Sequence, residues 1–197
     1  MAIKATDRTL IRAYGEELSA SFADIRGALE ALVSGVAAAN YEGANAVQFK
    51  QAAVNSCVEF AGQCENAMGL MADDVHNQTS YIATALGGSP IEVTFTRGQI
   101  QAPAVSTDDS VELADSSALG DMKSLVITQM DLINGFFDDN MDNFNRLGAS
   151  NGWVGEEYDT LQGQISTTTT DVKGDIDVAK SSLVETIDNQ LAALGMA

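Results

Sequence analysis

The chain has 197 residues, an apolar fraction of 45% and a formal charge of −18. That apolar fraction is ordinary for a globular protein, while the charge, −5 over residues 1–86, −4 over 87–117 and −9 over 118–197, leaves no basic patch for nucleic acid or an anionic membrane. No run of about 18 apolar residues predicts a membrane span, and the polar start Met1–Arg8 lacks the apolar stretch of a cleavable leader.

The first predicted element is a helix over about 8–37. Ile11, Tyr14, Leu18, Phe22, Ile25, Leu29, Leu32 and Val36 recur in steps of three and four and define one face. Thr6 and Asp7 are the N-cap candidates. A second helix starts near Ala44, with the stripe Phe49, Ala53, Cys57, Phe60, Cys64, Ala67, Met71, Val75 and Ile82. Small residues recur along it and allow a neighbouring helix to come close. Gly87-Gly88-Ser89-Pro90 ends it in the order of a C-cap followed by proline.

Residues 87–117 differ in character. The chain's two prolines, Pro90 and Pro103, both lie here. Ile91-Glu92-Val93-Thr94-Phe95-Thr96 alternates with period two and is β-branched, which predicts a strand. Arg97-Gly98 is a possible turn, with Gln99–Ala102 as a returning arm.

A third helix is predicted over about 118–148, on Leu119, Met122, Val126, Met130, Ile133, Phe137, Met141, Phe144 and Leu147. Gly148–Gly152 break it. A fourth begins near Gly155, on Tyr158, Leu161, Ile165, Val172, Ile176, Ala179, Leu183, Ile187, Leu191 and Leu194. Its Thr167–Thr170 run lowers local helix propensity.

The two halves repeat. A shift of 112 positions places Tyr41 on Trp153, Gly43 on Gly155, Phe49 on Leu161, Gly62 on Gly174 and Val75 on Ile187. Upstream, Leu18 falls on Met130, Ile25 on Phe137 and Leu32 on Phe144. Such a duplication governs the reading of the whole fold. It predicts a mainly α protein of two long helical hairpins, residues 1–86 and 118–197, packed antiparallel as a four-helix bundle with a β-containing linker over 87–117. One hairpin alone buries little core; two can cover each other's stripes. The linker length agrees. Helices of about 35 residues are about 50 Å long, and the linker can extend to about 100 Å, enough to start the second hairpin at the far end.

Trp153-Val154-Gly155 sits between two amphipathic helices, and Tyr41-Glu42-Gly43 holds the matching place in the first half. In this the chain resembles the WXG-motif family, the helical-hairpin proteins associated with type VII secretion, in which W-x-G lies in the turn. The resemblance covers nearly all of the chain except 87–117. It implies an acidic, non-enzymatic interaction protein, a secretion substrate or adaptor, exported without a cleavable signal peptide or else cytoplasmic. Its partners would be another protein, a second copy or the secretion machinery. The first copy departs by carrying Tyr41 for tryptophan. No Y-x-x-x-D/E export signal follows either hairpin: Tyr81 is followed by Ala85 and Tyr158 by Gln162 at that spacing. On physical grounds alone, an aromatic ring at each bend can plug a bundle end, and glycine two residues later allows a tight bend. Tyr41, Gly43, Trp153 and Gly155 are therefore the candidate turn or interaction residues.

Ile91, Val93 and Phe95 form a second candidate site, a strand that joins neighbouring copies in a self-assembling structural subunit. For chemistry the sequence offers little. Asp138–Asn143 is oxygen-rich, but its sixth position is Asn143 where a calcium loop wants glycine, and Phe137, Met141 and Phe144 demand helix. Asp171, Asp175 and Asp177 read as a solvated face. His76 is the only histidine, so a zinc site and a paired general base are both unexpected. Cys57 and Cys64 are a helical rise of about 10.5 Å apart, too far for a disulfide. No catalytic residue, cofactor or metal is predicted.

Overall fold

A computed structural model describes residues 5–42, 45–105 and 116–195. Its elements, in chain order, are β1 (Ala5–Thr6), α1 (Arg8–Ala37), α2 (Ala46–Leu86), α3 (Ser116–Ala149), β2 (Trp153–Val154) and α4 (Glu156–Ala193). The fold is mainly α, a four-helix bundle of two hairpins packed antiparallel. The predicted helices are present within a few residues of their expected ends.

The stripes form the core. All eight apolar positions predicted for α1 are buried, from Ile11 to Val36. In α2 only Phe49 of the stripe is half-buried, and in α3 only Met141. The α4 stripe is buried through Ile187 apart from half-buried Ala179, while Leu191 and Leu194 near its end are half-buried. Burial of this kind drives the assembly. Thr169, inside the β-branched run, turns inward, and Thr167 and Thr170 donate their hydroxyls back to Gly163 O (2.9 Å) and Ser166 O (2.8 Å). The run therefore stays helical.

The chain divides into two compact units that cut across the hairpins instead of following them. The first comprises Met1–Arg26, Cys64–Arg97 and Gly135–Lys173. Within it α1 meets α2 through the Arg26–Glu65 ion pair (2.7 Å) and α3 through the Tyr14–Phe144 edge contact (5.4 Å between centroids). The α3–α4 contact there is Lys173–Asp138 (2.5 Å), and Gln78 donates to Gln164 (3.4 Å) between α2 and α4. The second comprises Gly27–Gln63, Gly98–Asn134 and Gly174–Ala197. There Leu125 of α3 packs against Gly35 of α1, and Lys123–Asp188 and Lys180–Asp131 (both 2.7 Å) join α3 to α4. In each unit α3 and α4 run antiparallel: Asp138–Lys173 and the Phe144–Tyr158 stack in the first, and Lys123–Asp188 and Asp131–Lys180 in the second, pair rising numbers with falling ones.

The expected strand in the linker is not formed. Residues 87–105 contain no strand, and the returning arm at Gln99–Ala102 is absent. The described β-structure lies elsewhere: Ala5 pairs with Val154 and Thr6 with Trp153, antiparallel. The physical reason is competition for the linker's amides. The Ile91 N–H donates to Thr79 Oγ1 (2.9 Å) on α2, and the Thr94 N–H donates to Ser19 Oγ (3.0 Å) on α1. Helix side chains thus take the place of a partner strand. The alternation itself survives: Ile91, Val93 and Phe95 are half-buried, while Glu92, Thr94 and Thr96 are exposed. The segment is an extended strap.

Candidate functional site

The turn between α3 and α4 is built from its termination signal outward. Asn151 is left-handed (φ 54°) and ends α3 in a Schellman motif. The Gly152 N–H donates to Leu147 O and the Asn151 N–H to Gly148 O, both at 3.0 Å. Leu10 and Leu147 crowd Gly152, where a Cβ would not fit. Trp153 and Val154 then extend into β2. Gly155 has φ 150°, a region open to glycine, and its carbonyl accepts the Asp159 N–H (3.0 Å) to start α4. Glu156, Glu157 and Asp159 follow in the first turn, where carboxylates favour the helix dipole.

Trp153 is 1% exposed. Its indole faces inward and meets Tyr158 (6.2 Å, edge-on), which stacks on Phe144 (4.8 Å), which takes the edge of Tyr14. These four rings fill one end of the first unit. The N-terminal segment covers them: β1 pairs with β2, and the Asp7 N–H donates to Gly152 O (2.6 Å). Asp7 is also the N-cap, its Oδ1 accepting from Thr9 N (2.9 Å) and Leu10 N (3.3 Å). Burial first, then Tyr158 and Glu17, hold the Tyr14 phenol far above its ordinary pKa. Burial, then Asp159, raises Tyr158 as well. Both are neutral at physiological pH. The Tyr14 hydroxyl and the Trp153 Nε1–H have no hydrogen-bond partner among the described residues.

Tyr41, its counterpart, is 3% exposed and belongs to the second unit. Its ring meets Phe49 edge-on (5.6 Å), and its hydroxyl accepts from Gln190 Nε2 (2.5 Å). Buried Lys50 donates to Ala39 O (3.1 Å), satisfying a carbonyl just beyond α1. Gly43 lies outside the described residues. Both aromatic residues of the motif are therefore buried whole, ring and backbone alike.

The strap is the third feature. Ile91 seats over Gly15, and a Cβ there would overlap Ile91 Cγ2. Phe95 packs edge-on against Phe22 (5.4 Å) and close to Gly69. Arg97 covers the outer face of Phe95 (4.8 Å from the guanidinium to the centroid) and pairs with Asp73 (3.4 Å). The Arg26 guanidinium donates to Thr96 O (3.1 Å). Ser19 and Thr79 serve the strap because each donates its own proton to a helix carbonyl, Gly15 O and Val75 O (both 2.7 Å), and so presents a lone pair outward.

His76 Nδ1 faces Glu92 Oε1 at 3.0 Å, with the side chains 40% and 69% exposed. Asp138 is paired with Lys173. Among the described residues no group of three or more His, Cys, Asp or Glu side chains is placed to hold a metal. Cys57 and Cys64 are buried, and burial pushes the Cys57 thiol up to about 12, leaving it an inert core side chain. No described helix is long and apolar enough to cross a membrane.

Comparisons with protein-family models, curated proteins and solved structures find no match. The reading of the site thus rests on its own geometry. Sequence reasoning missed Gly15, Ser19, Gly69 and Thr79, the residues that seat the strap. The available signal was a pair of hydroxyls and a pair of glycines on α1 and α2.

Proposed function

We propose that this is a non-enzymatic protein–protein interaction protein, a tandem WXG-like bundle that serves type VII secretion as substrate or adaptor. The observation that carries the reading is the position of the motif. Trp153-Val154-Gly155 joins α3 to α4, and Tyr41-Glu42 lies in the α1–α2 connection, each with its aromatic ring in the core. In this proposal the rings fix the two bends, and the polar surfaces of the bends and helices make the contacts with a partner. Both hairpins come from one chain, so the bundle needs no second protein to cover its stripes.

A direct test follows the intact chain, expressed in a host with a type VII system, into the culture medium. The proposal expects export that depends on the system's ATPase. Equal amounts outside wild-type and ATPase-deficient cells would refute the substrate role. Failure to co-purify with any component of the system would refute the adaptor role.

The alternative, a self-assembling subunit joined through residues 91–102, draws less support. Ile91 and Phe95 are already engaged by α1 and α2 of their own chain. Assembly through them would require the strap to leave its groove.

A further inference from the structure

The first unit has a cleft of about 60 Å³ where the start of α1 faces the end of α2 and the strap. Its apolar floor is Ile11, Ile82 and Ile91; Arg8, Arg12 and Ser89 line its polar side. No carboxylate among the described residues lines it. That is unexpected in a chain with 28 acidic and 10 basic residues. Arg26, Arg97, Lys123, Lys173 and Lys180 are each matched to a carboxylate. Arg12 has no ion-pair partner among the described residues, and Arg8 reaches only the backbone carbonyl of Leu86 (3.4 Å). Asp7, next to Arg8 in sequence, has its Oδ1 on the Thr9 and Leu10 amides, and Glu16 and Glu92, which line an adjoining pocket with Arg12, form no ion pair with it. Two cationic groups thus border an apolar hollow that no carboxylate among the described residues lines.

We infer that this cleft binds a small aliphatic carboxylate, its hydrocarbon on Ile11, Ile82 and Ile91 and its carboxylate between Arg8 and Arg12. Guanidinium groups favour carboxylates because two N–H donors match two oxygens. The adjacent start of α1 adds the positive end of the helix dipole. Size sets the class: at about 10–15 Å³ per water-sized position, the cleft holds about four to six heavy atoms, a chain of about four carbons. The Arg8 guanidinium lies against Gly88, where an added Cβ would meet it. Arg12 is the specificity residue that a substitution can remove without touching the core, since it is exposed.

The same chemistry has two sources, a free short-chain acid or the C-terminal residue of another polypeptide, and methyl-detected NMR on the intact chain separates them. The probes are butanoate, butanamide, a flexible pentapeptide ending in valine with a free carboxylate, and its amidated twin. Saturable shifts of the Ile11, Ile82 and Ile91 methyls with an acid but not with its amide support the inference. The acid that saturates at lower concentration identifies the source. Arg12→Ala should weaken binding at least tenfold, and Arg12→Lys should lose less. The inference is overturned if neither acid saturates at millimolar concentration, if the amides bind as well, or if R12A binds like the parent chain.

Discussion

Two glycines in α1 isolate how firmly the strap is seated. Gly15 is buried beneath Ile91; Gly27 is exposed, with nothing within 4 Å of an added Cβ. Alanine is favoured over glycine in a helix interior by about 0.8–1 kcal/mol. Gly27→Ala should therefore stabilise the chain by about that amount. Gly15→Ala gains the same propensity, but its new methyl overlaps Ile91 Cγ2. Isoleucine is stiff at χ1, and Cγ2 is bonded directly to Cβ, so relief requires the strap backbone to shift. Overpacking of this kind costs about 1–3 kcal/mol. The two variants should then differ by about 1–3 kcal/mol, with G15A near neutral or destabilised by up to about 2 kcal/mol. At a urea dependence of about 2 kcal/mol per molar, their midpoints separate by about 0.5–1.5 M. Hydrogen exchange supplies a local readout, because the Ile91 and Thr94 amides are bonded to Thr79 and Ser19. Those amides should lose protection in G15A and keep it in G27A. Adding Ile91→Ala should also cost less in the G15A background than in the parent, the mark of coupled neighbours. Equal midpoints with unchanged protection would show that the strap does not rest on Gly15, and the reasoning would fail.

Four further outcomes are expected. Tyr14→Phe removes a buried hydroxyl with no partner while keeping the ring contacts, so it should stabilise by about 1 kcal/mol; a lower midpoint at neutral pH would reveal a hidden acceptor. Asp74 has its carboxyl raised above the ordinary value of 3.8, by burial first and Asp73 second. Its contribution to stability is full below that value and is lost as the pH rises through the folded-state pKa, so Asp74→Asn should be more stable than the parent at neutral pH and no different in strong acid. Trp153→Ala should cost about 3–5 kcal/mol, the range for emptying a large buried aromatic site, and Gly155→Ala about 1–3 kcal/mol from its φ of 150° alone. Chemical denaturation measures both, and a loss at either position below about 0.5 kcal/mol, the scale of a surface change, would contradict the account of the turn.

The helices and their inward faces were legible in the sequence. Leu18 and Met130, Ile25 and Phe137, and Val75 and Ile187 are repeat partners, and every one of them is buried. Periodicity records this because each helix must hide one stripe whatever it packs against. The bends were legible too, since glycine and a lone aromatic residue interrupt the stripes at Trp153-Val154-Gly155. Hairpin order followed from linker length. These properties are set by neighbours along the chain or by its reach.

The strap's fate was decided only by tertiary structure. Ile91–Thr96 has the composition of a strand, and its alternation correctly predicts which side chains turn inward. Nothing local specifies what its amides will bond. Ser19 and Thr79 lie 75 and 12 positions away in sequence and reach the strap because the α1–α2 hairpin brings them beside it. The same holds for β1 against β2, for Tyr14 beside Phe144, and for two arginines bordering a cleft that no carboxylate among the described residues lines. A residue's own neighbours fix its conformation and the face it turns inward; the identity of a distant partner depends on which surfaces the packed helices leave open.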